Sequence, residues 1–271
     1  MRLLKFLKEF VSASPSEEDT FNYAVAAHKR GDYPLALRLF RSLASLENAS
    51  AFSRAAVWLN LGNMYYEGHG VHLDYAQAEV CYRKAAERGN SQAQANLGGM
   101  YKLGQGLPRD YKAALSWYRK AAEQGDAFAQ NNIGLMYDDG QGVLQDYATA
   151  VSWYRRAADR GNADAQFNLG TMYDHGRGVP QDRLQAAAWF FRAARQGHAD
   201  AQYNLGTMYA KGEGAPRDYV QAYVWLSLAA AQNNGSNTNA VKNRDLAASK
   251  LTPAQIADAQ KMARELKKIE H

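Results

Sequence analysis

The chain has 271 residues, 46% hydrophobic and 22% charged, with a formal net charge of +5. Acidic and basic residues alternate along it without a Lys/Arg run, which excludes nucleic acid as the expected partner. A single cysteine, Cys81, excludes an internal disulfide and a cysteine metal cluster, and no apolar run approaches transmembrane length.

Leu3, Leu4, Leu7, Phe10 and Val11 recur at helical spacing, so residues 1–16 are expected to form an amphipathic helix that docks on the first repeat as a cap. Membrane contact through residues 1–11, as in a membrane-recruited regulator, is the sharper alternative. Lys5, Lys8 and Glu9 make the segment a poor signal peptide. A cytoplasmic location is therefore expected, or a periplasmic one if a leader has been removed. Residues 20–54 read as a first, shorter helix pair, Phe21–Arg30 and Pro34–Ala44, around Gly31-Asp32-Tyr33. Leu46 to Ser53 reads as an irregular insertion. It contains a glycosylation sequon by pattern, Asn48-Ala-Ser50.

From 55 to 234 the chain repeats itself every 36 residues. Leu61-Gly62, Leu97-Gly98, Ile133-Gly134, Leu169-Gly170 and Leu205-Gly206 stand in register, each followed by a Gly-x-Gly. A fixed period of this size marks stacked supersecondary units. In the unit 91–126, helix A is expected over Ser91–Lys102 and helix B over Tyr111–Glu123. Ala93, Leu97 and Tyr101 make one apolar stripe. Gly98 lies beside it in mid-helix, where Gly costs about 1 kcal/mol relative to Ala, so its recurrence demands a close neighbour. Asp110 should cap helix B and Gly125 should stop it, as should their counterparts in the other units. Trp117 and Tyr118 are expected to bury the most surface, with Cys81 a small packed residue at the Trp position. Residues 235–271 read as capping helices, Val241–Lys250 and a last one begun by Thr252-Pro253. The last helix would turn Ile256, Ala259, Met262, Ala263 and Leu266 inward.

The set Ala93, Leu97, Gly98, Tyr101, Gly104, Gly106, Asp110, Ala114, Trp117, Tyr118, Ala121, Ala122 and Gly125 resembles the Sel1-like repeat. The first helix pair looks more like a tetratricopeptide repeat. The departures are small: Cys81 for Trp, Leu107 and Ala215 for Val, Arg183 and Leu226 for Tyr. The resemblance implies an all-α fold, an α/α superhelix (solenoid) of stacked antiparallel helix pairs, and a non-catalytic scaffold, often bacterial, with a protein or peptide partner and no cofactor. A monomer is expected.

No other chemistry stands out. The Gly-x-Gly pairs lack the third glycine of a nucleotide fingerprint and read as turns. No Ser-x-x-Lys is present, which argues against a serine β-lactamase site. A hydrolase or β-lactam-binding activity stays open as an alternative only through dispersed carboxylates. His69-x-x-His72 lies in a Gly loop without matching ligands in sequence and reads as solvated.

One series suggests binding. Asn60, Asn96, Asn132, Asn168 and Asn204 each precede the Leu-Gly or Ile-Gly pair, and Asn is a poor helix former. Such amides either tie each helix to the neighbouring repeat or, by tetratricopeptide analogy, hold the backbone of an extended peptide. By the same alignment the groove would be lined by Leu59, Asn63, Tyr66, Ala95, Lys102, Phe128, Asn131, Asp138, Asp164, Phe167, Asp174, Asp200, Tyr203 and Lys211. The middle of that surface is acidic with aromatics and would prefer a neutral or basic peptide. Replacing Asn132 and Asn168 by Ala is expected to weaken binding and leave the melting temperature nearly unchanged.

Overall fold

The computed structural model describes residues 16–46, 51–232 and 238–269. The expected helix at 1–16, the sequon at Asn48 and most of the polar break at 235–239 fall outside the described residues.

Among the described residues every regular element is helical. The pairs are α1 (Glu17–Lys29) with α2 (Tyr33–Ala44), α3 (Ala51–Glu67) with α4 (Tyr75–Ala86), and α5 (Ser91–Leu103) with α6 (Tyr111–Glu123). They continue with α7 (Ala127–Asp139) and α8 (Tyr147–Asp159), α9 (Ala163–His175) and α10 (Arg183–Ala194), and α11 (Ala199–Lys211) and α12 (Tyr219–Ala231). Two helices follow, α13 (Thr238–Ala248) and α14 (Pro253–Ile269). The chain falls into two compact units, Met1–Ala129 and Gln130–His271, divided within α7. Each is a stack of antiparallel helix pairs, the architecture of the α/α-superhelix class. Three helices start at least three residues earlier than the sequence reading has them, among them α13, at Thr238 rather than Val241. Ser16 caps α1 at Glu17, and α3 begins at Ala51 because no Gly or Pro separates Ala51 from the following periodic stretch.

Polar caps begin the helices. Asp32, Asp74, Asp110, Asp146, Asp182 and Asp218 each accept from the backbone N–H three residues on. Asn90, Asp126, Asn162 and His198 do the same for the helices that open the next repeats. The glycines that follow helices A and B have positive φ, which a residue with a Cβ adopts only at a cost of about 1 kcal/mol.

Within a repeat the recurring glycine of helix A receives the aromatic ring of helix B. A Cβ on Gly98 would stand 2.8 Å from Tyr118 Cδ1, and the pairs Gly62/Tyr82, Gly134/Tyr154 and Gly170/Phe190 are built alike. Each such ring is buried (Tyr118 is 1% exposed), and burying one contributes about 1.5–3 kcal/mol. Tyr118, rather than Trp117, is thus the buried anchor. Trp117 and Trp153 lie at the edge of the buried face and are half-buried, with Lys120 Nζ 4.2 Å and the Arg156 guanidinium 4.7 Å from the ring centroids.

Between repeats the link is a buried amide. Gln94, Gln166 and Gln202 each donate Nε2 to a carbonyl near the end of the preceding helix B: Ala86 at 3.0 Å, Ala158 at 3.1 Å and Ala194 at 3.1 Å. Gln124 and Gln196 donate in turn to Gln94 and Gln166 at 2.8 Å. The repeat 55–90 departs twice. Trp58 stands at the Gln position and Cys81 at the Trp position. The Lys84 ammonium, three residues after Cys81, lies 4.0 Å from the Trp58 ring centroid, so the cation–aromatic contact persists with its ring supplied by helix A. Cys81 is buried, as expected, and burial pushes its thiol up to about 11.

At the C-terminal end α13 and α14 both pack on α12. Ile256, Ala259, Ala263 and Leu266 of α14 join the core there, whereas Met262 is 43% exposed and does not. It sits one position beyond the stripe that faces α12. Thr252 and Gln255 form a reciprocal cap at the start of α14.

Candidate functional site

The residues expected to line a groove come from helices A, and the structure sorts them. Leu59, Ala95 and Asn131 are buried, so they belong to the packing of the stack and are not groove residues.

The Asn series divides in the same way. Asn96 Nδ2 donates to Asn63 Oδ1 at 3.4 Å, and Asn168 Nδ2 donates to Asn131 Oδ1 at 3.0 Å, each acceptor lying on the preceding helix A. Tyr82 donates to the same Asn63 oxygen at 2.8 Å. Asn60 Nδ2 turns back to the Ala56 carbonyl at 2.8 Å. Asn132 is only 8% exposed, so its replacement by Ala is expected to cost stability, contrary to the sequence expectation. Asn204 is half-buried. An amide that gives one N–H to a neighbouring helix keeps a second N–H and its own oxygen outside that bond.

Of the other expected residues, Phe128 is 49% exposed and Lys211 is exposed, while Lys102, Tyr66, Phe167 and Tyr203 are half-buried. Phe167 stacks on His198, centroids 4.6 Å apart, and the Tyr203 hydroxyl accepts from Asn243 at 3.2 Å. The carboxylates are less available than the sequence suggests. Asp138 accepts from the Tyr154 hydroxyl at 3.1 Å, and burial raises its carboxyl above the ordinary value, with the Tyr154 bond pulling the other way. Asp174 lies 3.8 Å from Arg183 Nε, and Asp164 lies 3.6 Å from His198 Nε2. Asp138 and Asp174 therefore each have a partner within the chain. Asp200 remains exposed.

One cluster escaped the sequence reading. His69 is not an isolated solvated histidine. Its Nδ1 stands 3.3 Å from Nε2 of His28 in α1 and 2.9 Å from Oε2 of Glu67. Burial and the neighbouring His69 lower the pKa of His28, against the opposing pull of Glu67. The contact joins residues 41 apart, in adjacent repeats. The Gln series 94, 166 and 202 was also missed, although its 36-residue interval was visible in the sequence.

Comparisons with known proteins agree with this architecture. The family model described as Sel1 repeat matches residues 26–48, 59–90, 91–126, 127–162, 163–198 and 199–234. A Sel1 repeat protein from Oxalobacter formigenes is 30% identical, with 93% of this chain and 97% of that one covered and a TM-score of 0.73. A protective antigen of uropathogenic Escherichia coli with the same repeat fold is 25% identical over 95% of this chain and 70% of that one, TM-score 0.49. An immunity protein from Pseudomonas aeruginosa is 21% identical over 80% and 83%, TM-score 0.50. No curated protein matches the chain significantly. Repeats of this kind generally mediate protein–protein interaction and are generally non-catalytic.

Proposed function

Because the chain belongs to the Sel1-repeat family, we propose that it is a non-catalytic scaffold whose helix-A face holds an extended peptide or a partner protein. The observation that carries this reading lies within the second unit: the half-buried amides Asn168 and Asn204 on successive helices A, with the half-buried rings of Phe167 and Tyr203 and the exposed ammonium of Lys211 on the same helices. Side-chain amides pair with a peptide backbone whatever its sequence, and a half-buried aromatic supplies an apolar anchor. With Asp138 and Asp174 already engaged, we infer that an apolar anchor with a weakly charged flank suits the face better than a strongly basic peptide.

Peptides selected from a random display library against the full chain supply the test. Their affinity for the Asn204→Ala/Lys211→Ala variant should fall about tenfold or more, equivalent to about 1.4 kcal/mol, with the melting temperature held. Unchanged affinity, or selection of peptides that bind elsewhere, would overturn the reading.

A further inference from the structure

Within each unit, a last-turn residue of a helix A meets the middle residue of the Gly-x-Gly loop in the following repeat. Four such meeting points lie within one unit or the other: two pair complementary groups, and a third holds two like groups bridged by a cation. The Tyr66 hydroxyl donates to Gln105 Oε1 at 2.9 Å. Asp138 is stabilised by the charge of Arg177. Asp174 and Glu213 would repel, and the guanidinium of Arg183 lies between them, 3.8 Å from one carboxylate and 3.6 Å from the other. Where two like groups share this slot, a cation joins them.

The fourth meeting point, that of α1 with the loop after α3, holds two like groups without such a cation. His28 Nε2 and His69 Nδ1 face each other at 3.3 Å, and Glu67 Oε2 reaches the same His69 nitrogen at 2.9 Å. The three ligand atoms all lie within 4.8 Å of one another. We propose that His28, Glu67 and His69 bind a divalent metal ion of the zinc class.

The donor set and its geometry carry the proposal. Two nitrogens bound to a tetrahedral zinc at about 2.0–2.1 Å stand about 3.3 Å apart, the separation found here. A proton on His69 Nδ1 would serve two acceptors only as a weak three-centre bond. A lone pair there faces the lone pairs of the carboxylate and is satisfied by a cation. Imidazole and carboxylate together suit zinc and its neighbours better than calcium or magnesium, which prefer all-oxygen shells. The site is also held. The Tyr33 ring stacks on His69 with centroids 4.2 Å apart and planes 7° apart, and it meets His28 edge-on at 5.2 Å. Gly70 allows this, since a Cβ there would stand 2.9 Å from the Tyr33 backbone. Glu67 and His69 keep a solvent-facing side, which leaves a coordination position for water. The bound ion would clip α1 to the loop between α3 and α4. The proposal is independent of the helix-A binding face.

Zinc chloride titrated into the metal-free full chain, followed by calorimetry and thermal melting, tests it. One Zn2+ per chain and a raised melting temperature are expected. The His28→Tyr/His69→Gln variant rebuilds the Tyr66–Gln105 pairing in this slot, so it should fold as the parent does and lose zinc affinity about 100-fold. Glu67→Gln, a change at an exposed position, should weaken binding about tenfold, and His72→Gln should leave it unchanged. Absence of zinc binding by the parent chain, parental affinity in the double variant, or loss of binding in His72→Gln would each overturn the assignment.

Discussion

The first and last repeat junctions use one loop design and close it with different chemistry. At the first, the Gly68-His69-Gly70 loop folds against α2, and the contact is polar: two imidazoles, a carboxylate and the Tyr33 ring. At the last, the loop at Gly212 and Gly214 meets the start of α10, and the pair behind it, α11 with α12, is covered by α13 and α14. There Trp225 is 2% exposed and its Nε1 finds no partner among the described residues, so apolar burial outweighs the unmet N–H. Trp117, at the same repeat position away from the end, is half-buried beneath Lys120. Trp189 combines the two settings, 6% exposed with the Arg192 guanidinium 4.3 Å from its ring centroid. The residue three positions on changes with the setting: Lys120 lies over Trp117, whereas the buried Leu228 follows Trp225.

Truncating the tryptophans gives the largest expected difference. Trp225→Ala should cost about 3–5 kcal/mol, the range for a fully buried large aromatic, and Trp117→Ala clearly less, both read by chemical denaturation. Next come the second glycines of the loops. Gly70 and Gly214 have nearly equal φ, 75° and 73°, so backbone strain in an alanine variant is the same at both. A Cβ at Gly214 would stand 2.7 Å from the Arg183 carbonyl carbon and closer still to its oxygen, whereas at Gly70 the nearest atoms are 2.9 Å away. Gly214→Ala should therefore cost about 2–4 kcal/mol and Gly70→Ala about 1–2 kcal/mol; equal costs would show that the two junctions are packed alike.

The Trp58/Cys81 exchange predicts coupling. Cys81→Trp alone should overpack its buried site, while Trp58→Gln/Cys81→Trp should be less destabilised than the sum of the single changes by about 0.5–3 kcal/mol. The smallest effect concerns pH. Burial raises the folded-state pKa of Asp138 above its unfolded value, so the native state holds this proton more tightly. The contribution of Asp138 to stability therefore falls as pH rises through that interval. Asp138→Asn keeps an acceptor for Tyr154 and should flatten that part of a melting-temperature profile against pH.

Much of this was legible in the residues. The 36-residue period, the Asp and Asn caps and the small residue beside each stripe state the helix pairs directly, because capping and hairpin packing are local and are repeated five times over. The helix-A face was only partly legible. The alignment found the right helices, but it put Leu59, Ala95 and Asn131 in the groove, since a helical wheel does not say how far the next helix wraps around it.

The sequence by itself determined the repeat, its helix ends and the need for a close neighbour at each Leu-Gly, all of which depend on residues a few positions apart. Tertiary structure alone decided which Asn is buried, which carboxylate meets an arginine, and that His28 arrives beside His69. Those contacts join different repeats, and they depend on the rotation between stacked pairs, which no single repeat encodes.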